Sequence, residues 1–535
     1  MNTRPRGRTR EFRLALADPA GWIPFAAIAG LLLAELAAIL MLNTGHFVYS
    51  LDDPYIHLSL AENIADGHYG INLSEPAAPS SSILWPILLV PFAGTAFHDE
   101  WPLVINVLSL LGSVGVLRAI IRRAIPIGSM PFRWLPPLIV AFAAIGFNLV
   151  GLVFTGMEHS LQVFLALLLV LGLITESEEW RVRWFLTAAI VLGPLVRYEN
   201  LGLSCGAVVY LGLRGRPVLA LTLGALTALP LAAFSLFLRN LGLGWLPSSV
   251  IVKLKVASVD ATVLDFTSAL GGIFLWGEGT YSRMILLGFL MLFVWRARPR
   301  YRTSGERSLA IAGAVMATAH LVSGKYGWLG RYEVYVMIST SVLLLYVWRD
   351  YLHDHVARVT ELRVGAEAAL TALLLCVPTL GATVLTPLAA SNTYEQQYQM
   401  HRLIAEFLAG EPVAVNDLGW TSFRNDAYVL DLWGLGSAEA RALRLAGLPG
   451  WMDDLVIRHG VRFVMLYDGW FTGQIPNRWQ RLGVLHLGHM RVSAAYATVT
   501  FYATDPAAGA ELAKLLERFG STLPPGVRLE MGRSG

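Results

Sequence analysis

Two adjacent carboxylates stand at the head of a short amphipathic segment early in the chain. Asp52 and Asp53 precede Pro54, and Ile56 and Leu60 share one face of the helix predicted to follow. An acidic residue before proline is typical of a helix start, so either carboxylate could be a helix cap. One cap is enough, however, and neighbouring carboxylates raise each other's pKa, which suits a proton acceptor. The pair is therefore a candidate general base, with capping as the alternative.

The residues around this pair include types that bind divalent metals. Asp52, Asp53, His57 and, farther along the chain, Glu158 are hard or borderline metal ligands. No H-x-x-x-H or H-E-x-x-H pattern accompanies them, and the two cysteines both lie in apolar runs and form no C-x-x-C pair. The sequence therefore supports no metal and no other cofactor on firm grounds.

The overall composition indicates which elements carry these residues. Apolar residues make up 55% of the 535 residues and charged residues only 15%, and the mean hydropathy is +0.54. These values exclude an ordinary soluble protein and a disordered one. A net charge of +3, with no basic tract between aromatic residues, excludes a nucleic-acid partner. The fold class that we predict is a polytopic α-helical membrane protein whose partner is the lipid bilayer.

Apolar windows give the predicted spans. A bilayer core of about 30 Å needs roughly 20 apolar residues in a helix, and such windows predict about eleven spans along the chain. They are placed near 22–42, 101–121, 134–152, 161–174, 184–196, 201–213, 217–238, 284–295, 308–323, 332–348 and 366–388.

The distribution of basic residues predicts the orientation of these spans. With a cytoplasmic amino terminus, the inner loops contain 21 arginines and lysines and the outer loops contain 7, as the positive-inside rule requires. Because eleven is odd, the chain after residue 388 then lies outside the cell. We expect a multi-pass protein of the inner (plasma) membrane.

Two large regions lie outside in this arrangement. The outer loop 43–100 contains the Asp52–Asp53 pair but no lysine or arginine, and its apolar stretch Ile83–Phe97 is short enough to lie along the outer membrane surface. In 389–535 short apolar runs alternate with charged residues, which predicts an extracytoplasmic soluble α/β domain. We therefore divide the chain into a transmembrane catalytic domain, 1–388, and a C-terminal α/β domain, 389–535.

Cationic residues at the outer ends of the spans are candidates for binding an anion. The chain has only four lysines, of which Lys253, Lys255 and Lys325 lie in predicted outer loops. Each either binds an anionic group or extends to lipid headgroups. Arg197 and Arg331 also lie at outer span ends, where phosphate, a headgroup or a nearby glutamate is each a suitable partner.

The order of the outer motifs resembles the GT-C glycosyltransferases, in particular the bacterial branch that includes the mycobacterial arabinofuranosyltransferases. The resemblance covers most of the membrane part. It rests on Asp52-Asp53-Pro54-Tyr55-Ile56 with Gly67-His68-Tyr69-Gly70, Ser80-Ser81-Ser82-Ile83-Leu84-Trp85, Gly156-Met157-Glu158, Arg197-Tyr198-Glu199, Leu246-Pro247-Ser248-Ser249 with Lys253, Gly330-Arg331-Tyr332, Asn416-Asp417-Leu418-Gly419 and Asp431-Leu432-Trp433-Gly434-Leu435.

This resemblance implies an inverting glycosyltransferase with a GT-C-like membrane domain. Its donor would be a polyprenyl-phosphate sugar, and its acceptor a hydroxyl of a glycan, lipid or protein on the extracytoplasmic side. Asp52 would take the acceptor proton while Asp53 positions the acceptor or holds the loop, although the local physical argument does not separate the two. The candidate substrate-binding residues are His57, Glu158, Arg197, Glu199, Lys253, Lys325 and Arg331.

A transporter or flippase of lipid-linked sugars is the alternative function. The number of spans and the ionisable residues near the membrane suit it. Transporters often contain internal hydropathy repeats, which this sequence lacks, and they seldom carry a large outer domain at one end. The sequence therefore favours the enzyme.

The charge asymmetry predicts that the carboxyl terminus lies outside the cell. A cysteine introduced by Glu530→Cys should react with a membrane-impermeant thiol reagent in intact spheroplasts. The unmodified chain is the control, since Cys205 and Cys376 lie in apolar runs and should give only background labelling. Labelling that occurs only after lysis would contradict this orientation.

Overall fold

A computed structural model describes residues 19–125, 135–254, 279–298 and 304–532. Its α-helices are α1 Ile23–Leu42, α2 Asp53–Ala65, α3 Leu84–Leu89, α4 Trp101–Ala124, α5 Leu135–Gly146, α6 Leu149–Val153, α7 His159–Glu179, α8 Trp184–Val196, α9 Leu201–Leu213, α10 Pro217–Asn240, α11 Ser248–Leu254, α12 Thr280–Arg296, α13 Ser304–Ser323, α14 Val334–Val347, α15 Arg349–Val356, α16 Glu361–Glu395, α17 Gln397–Phe407, α18 Gly419–Ser422, α19 Ala438–Ala446, α20 Trp451–Arg458 and α21 Pro506–Gly520.

Helices occur at each of the predicted apolar windows, but few of them are long. Four helices within the described ranges are long and apolar enough to cross a membrane, Ala20–Leu42, Trp101–Ala124, His159–Glu179 and Pro217–Asn240. A bent pair within 362–407 would make five. The count of about eleven spans is thus not confirmed, because many of the windows hold shorter helices.

Three short apolar helices meet the longer ones near the outer loop. α8 has 13 residues and α14 has 14, which gives each a length of about 20 Å at 1.5 Å per residue. α5 is shorter still, and an asparagine with φ +55°, Asn148, separates it from α6. Since about 30 Å is needed to cross the hydrocarbon core, the end of such a helix can lie below the membrane surface.

A buried carboxylate joins three helices at the end of α7 that is far from Glu158. The Glu176 carboxylate is fully buried and accepts hydrogen bonds from Arg214 Nε and Arg216 Nε, both at 3.1 Å. The Tyr210 hydroxyl donates a third bond of 2.5 Å. This buried charge therefore has the partners that it needs, and it fixes α9 and the start of α10 against α7.

The C-terminal part is an α/β unit built on one six-stranded sheet. Its strands are β1 Val413–Val415, β2 Val429–Asp431, β3 Phe463–Leu466, β4 Gln480–His486, β5 Thr498–Ala503 and β6 Arg528–Met531, in the order β2-β1-β3-β5-β4-β6. β2, β1 and β3 run parallel, and the other pairs are antiparallel. Apolar side chains pack on both faces of the sheet, which agrees with the α/β domain predicted for this region.

The outer loop 43–100 is packed against this sheet. The side-chain amide of Asn72 donates to the Val429 carbonyl at 3.0 Å and accepts from the Val429 amide at 2.9 Å. It therefore pairs with the edge strand β2 as a neighbouring strand would. α3 and the short helix Val90–Phe92 occupy the stretch that was expected to lie along the membrane surface, an expectation that remains a prediction.

Removal of the Asn72 amide should weaken the attachment of the outer loop to the sheet. Asn72→Ala leaves a buried donor and a buried acceptor of Val429 without partners, at a cost of about 1–3 kcal/mol for each. We expect a lower thermal unfolding temperature of the purified protein. Asn477→Ala, which removes an exposed amide, is the control, and equal unfolding temperatures for the two variants would contradict the prediction.

Candidate active site

Asp52 binds the C-terminal domain rather than capping its own helix. It occupies the N-cap position of α2 without a side-chain capping bond. Its two carboxylate oxygens instead accept the backbone N–H groups of Gly419 and Trp420, at 2.7 and 2.8 Å. These two residues begin α18, so the carboxylate satisfies N–H groups that the first turn of that helix leaves free. Asp52 thereby joins the outer loop to the soluble domain.

The close approach at this contact requires glycine. A Cβ atom on Gly419 would lie 2.1 Å from the Asp52 carbonyl oxygen and 2.6 Å from its Oδ1 atom. Beside the contact, the Tyr55 and Trp420 rings stack with their centroids 3.9 Å apart. The backbone bonds and the stacked rings together hold α2 and α18 in one arrangement.

A further carboxylate, Asp417, lies behind Asp52. Asp417 Oδ2 accepts hydrogen bonds from Gln397 Nε2 and from the Tyr467 hydroxyl, both at 2.7 Å. Burial raises the pKa of the Asp52 carboxyl well above its usual range, and the charge of Asp417 raises it further, against the lowering effect of the two backbone N–H groups. Burial also raises the pKa of Asp417.

Asp53 has a different environment from Asp52. Its side chain is 40% exposed and accepts a 2.8 Å hydrogen bond from Arg331 Nη2. The Arg331 side chain is itself only 5% exposed, and its Nε and Nη1 groups are buried with no hydrogen-bond partner in the described part of the chain. A buried guanidinium whose N–H groups lack acceptors lowers the stability of the fold, unless a ligand accepts hydrogen bonds from those groups. Arg331 therefore holds Asp53 and keeps donors for an anion.

A left-handed turn delivers Arg331 to this position. Gly327, Trp328, Leu329 and Gly330 all have positive φ, at +90°, +51°, +63° and +71°. Two of these residues carry side chains, which makes the conformation unfavourable by about 1–2 kcal/mol for each. The Asn148 amide holds the turn by donating to the Leu329 carbonyl at 3.0 Å. Strain of this kind is typical of functional sites.

Arg197 forms the centre of a second charged group. Its guanidinium is buried and donates to Glu158 Oε1 at 2.8 Å and to both oxygens of Glu199, at 2.6 and 3.1 Å. It also contacts the Ser81 hydroxyl at 3.3 Å. Two carboxylates therefore neutralise Arg197, and the ion pair with Glu199, left open by the sequence, is the contact that forms.

The two charged groups meet at the Tyr332 ring. The guanidinium carbon of Arg331 lies 4.9 Å from the centre of this ring, and that of Arg197 lies 5.7 Å from it. Most of the predicted site residues are therefore in one region: Asp52, Asp53, Glu158, Arg197, Glu199 and Arg331.

The remaining candidate residues are His57, Lys253 and Lys325. His57 is buried on α2, one turn after Asp53. Lys325 is partly buried in the loop that precedes Arg331. Lys253 belongs to α11, but its side chain and the whole of Lys255 lie outside the described residues. Among the residues that the structure does describe, no group of three or more histidine, cysteine, aspartate or glutamate side chains is arranged to hold a metal ion.

Some residues of the site were not recognised as functional from the sequence. Asp417 and Tyr332 lie in motifs that supported the resemblance, next to Gly419 and Arg331 respectively. Gln397 and Tyr467 gave no local signal, because their relation to Asp417 arises only when β1, β3 and α17 come together.

The architecture is similar to that of a solved structure. ArnT from Cupriavidus metallidurans, crystallised with undecaprenyl phosphate, superposes with a TM-score of 0.50 at 13% identity, over 92% of this chain and 99% of ArnT. The chain has the GT-C fold. At this identity the similarity establishes the fold alone. The apo oligosaccharyltransferase of Archaeoglobus fulgidus gives a lower TM-score of 0.46 at 12% identity, over 86% of this chain and 73% of that one.

Comparisons of sequence give no functional assignment. A domain of unknown function, DUF8728, matches residues 388–502, which form most of the C-terminal α/β unit. No curated protein matches the chain.

A side chain at position 419 should separate the outer loop from the C-terminal domain. Gly419→Ala places a methyl group against the Asp52 backbone, so the two N–H bonds must lengthen or break. We expect easier proteolytic cleavage around residues 416–425 in the purified full-length protein. Gly520→Ala, whose nearest contact would be an ordinary 3.4 Å, is the control. Identical cleavage of the two variants would contradict the role given to Gly419.

Proposed function

We propose that this protein is an inverting membrane glycosyltransferase that moves a sugar from a polyprenyl-phosphate donor to an acceptor hydroxyl. The observation that carries the proposal is the Asp53–Arg331 pair, which places a partly exposed carboxylate beside a buried guanidinium with unfilled donors. Transfer from a sugar phosphodiester needs a base for the acceptor and a cation for the departing phosphate. This pair supplies both.

The leaving phosphate fits the unfilled donors of Arg331. As the bond between the anomeric carbon and the phosphate oxygen breaks, the electron pair remains on the phosphate, and the Nε–H and Nη1–H groups can meet that charge. The turn carrying Arg331 directly precedes the short helix α14. Such a helix can end at the depth of lipid headgroups, where a polyprenyl phosphate resides. The undecaprenyl phosphate bound to ArnT supports this choice of donor.

Asp53, rather than Asp52, is the base in this proposal. Both oxygens of Asp52 already accept backbone N–H groups, whereas Asp53 is exposed to an incoming hydroxyl. Asp53 takes the acceptor proton while the acceptor oxygen attacks the anomeric carbon from the face opposite the phosphate, which inverts that carbon. The role that the resemblance gave to Asp52 becomes one of positioning.

The remaining charged residues have supporting roles in this proposal. Glu158 Oε2 is buried with no partner in the described residues, and it can accept a hydrogen bond from a sugar hydroxyl. The arabinofuranosyltransferase branch, the extracytoplasmic acceptor and the location in the inner membrane are the finer parts of the proposal. They rest on the motif order and on the charge asymmetry of the loops.

Transfer of label tests the proposal directly. Full-length protein in nanodiscs would be incubated with a panel of radiolabelled undecaprenyl-phosphate sugars and with candidate glycan, lipid and peptide acceptors. We expect one combination to transfer label with inversion. If the protein instead moves lipid-linked sugar across vesicles without transfer to any acceptor, the flippase alternative is correct.

Asp53→Asn should abolish turnover by removing the base. Asp52→Asn should leave the proton transfer intact and affect the stability of the protein instead. Loss of a general base typically lowers kcat by about 10²- to 10⁴-fold, and the amide that replaces the Asp53 carboxylate keeps its shape but cannot accept the proton. Asp52→Asn replaces one acceptor oxygen by an NH₂ group that faces a backbone N–H, so it should weaken domain contact and reduce the amount of stable protein. Measured kcat for correctly folded protein decides the matter, and a larger loss for Asp52→Asn than for Asp53→Asn would reverse the assignment.

A further inference from the structure

A guanidinium group with no direct carboxylate partner in the described residues lies where the C-terminal domain meets the membrane part. Arg441 on α19 is 9% exposed, and its Nη1 group donates to the Ser248 hydroxyl at the start of α11. Its side chain makes no other hydrogen bond, and no carboxylate lies within 4 Å of it among the described residues. The guanidinium therefore makes no direct ion pair in the described ranges, and only the more distant charge of Asp431 offsets the cost of burying it.

The surrounding groups are donors rather than acceptors. Ser249 is 4% exposed and its hydroxyl has no hydrogen-bond partner in the described ranges. Arg444 lies one turn after Arg441, stacks at 3.8 Å on the Trp433 ring, and has a buried Nε group without a partner. The hydroxyl of Ser248 accepts from Arg441 and so has its own proton to donate.

The nearest acid is already satisfied by the backbone. Asp431 accepts the N–H groups of Trp433, Leu435 and Gly436 at 2.6–2.8 Å. Burial raises the pKa of Asp431 to about 6 even though these N–H groups oppose it. Its carboxylate is thus engaged with the loop and makes no direct ion pair with Arg441 or Arg444. The other acid of α19, Glu439, forms an ion pair with Arg458 instead.

We propose that Arg441, Arg444, Ser248 and Ser249 form a binding site for a tetrahedral oxyanion, a phosphate group carried by the acceptor. Two guanidinium groups and two hydroxyls offer donors in several directions, which matches a phosphate better than a planar carboxylate. This site would add an acceptor-binding element to the proposed function. The claim that the phosphate belongs to the acceptor rests on that proposed function. The oxyanion site itself rests only on the contacts of these residues.

The position of the site separates it from the donor phosphate. Ser248 N donates to the Ala78 carbonyl at 2.9 Å, and Ser81, three residues farther on, contacts Arg197. A segment no longer than about 10 Å, from Ala78 to Ser81, therefore runs from the Ser248 contact to the Arg197 group. Arg331 faces the outer ends of membrane helices, whereas Arg441 belongs to the soluble domain. A phosphate at Arg441 would hold an acceptor from the aqueous side.

Binding of methyl phosphate tests the site without any need for turnover. The full-length protein, in nanodiscs of zwitterionic lipid, would carry Arg331→Gln so that the donor site does not contribute. We expect saturable binding by calorimetry, weakened about 10- to 100-fold by Arg441→Gln and to a smaller extent by Ser249→Ala. Arg458→Gln, which removes an exposed arginine of the same domain, should leave the affinity unchanged, and circular dichroism would check that each variant is folded.

Four outcomes would overturn the proposal or its acceptor role. If the Arg331→Gln protein binds no methyl phosphate, or if Arg441→Gln and Arg458→Gln bind equally well, there is no oxyanion site. If phosphatidylglycerol in the nanodisc abolishes the binding, the occupant is a lipid headgroup and not an acceptor. Once a transfer assay exists, an unchanged acceptor KM in Arg441→Gln would also refute the acceptor role. Failure to find any sugar transfer would count against the proposed function, while the binding result would stand.

Discussion

The two hydrogen bonds from the backbone of Gly419 and Trp420 to the Asp52 carboxylate determine how the rest of the site is arranged. A carboxylate held on both oxygens cannot turn to another partner, so the head of α2 has one orientation. Asp53 follows Asp52 directly and must leave the helix in a fixed direction, toward Arg331. The apolar helices and the α/β unit consequently contribute to a single candidate site, and the α/β unit holds the head of α2 in place.

Charge balance explains which groups remain available to substrates. Arg197 is surrounded by Glu158 and Glu199 and has the partners that burial demands. Arg331 and Arg441 differ, because each is buried without such a set of carboxylates in the described part of the chain: Nε and Nη1 of Arg331 have no hydrogen-bond partner, and Arg441 donates only to Ser248. A folded chain tolerates such groups at a cost of desolvation, and a bound anion removes that cost. The two positions therefore differ in kind from the many arginines that form ordinary ion pairs on the surface.

Much of the fold and part of the site could be predicted from the sequence. Apolar windows located helices such as α1, α4 and α7, because burial in lipid or in a bundle leaves a continuous apolar run, and alternating short runs revealed the α/β unit. The bounds of α8 agree with its window 184–196, whereas the window 134–152 holds two shorter helices, α5 and α6, because the chain turns at Asn148. The resemblance assigned the base role to Asp52, but no local feature of the sequence distinguished Asp52 from Asp53, and the contact that distinguishes them is not visible in the sequence. It depends on Gly419, which is 367 residues away in sequence, and Arg441 has no neighbouring motif that indicates its burial.

Arginine at position 331 suits the strained turn that carries it. The left-handed residues from Gly327 to Gly330 leave the chain few alternative directions, so the guanidinium is held in place before any substrate arrives, and preorganised donors are the ones that lower a barrier most. One nitrogen, Nη2, holds Asp53 and Tyr332, while Nε and Nη1 point elsewhere in the same plane. A lysine would offer its three donors from a single nitrogen, so Asp53 and an anion would have to share one small region, whereas the guanidinium presents its donors in fixed, separate directions. In the proposed transfer, the planar fork allows one buried side chain to contact both the Asp53 carboxylate and the leaving phosphate.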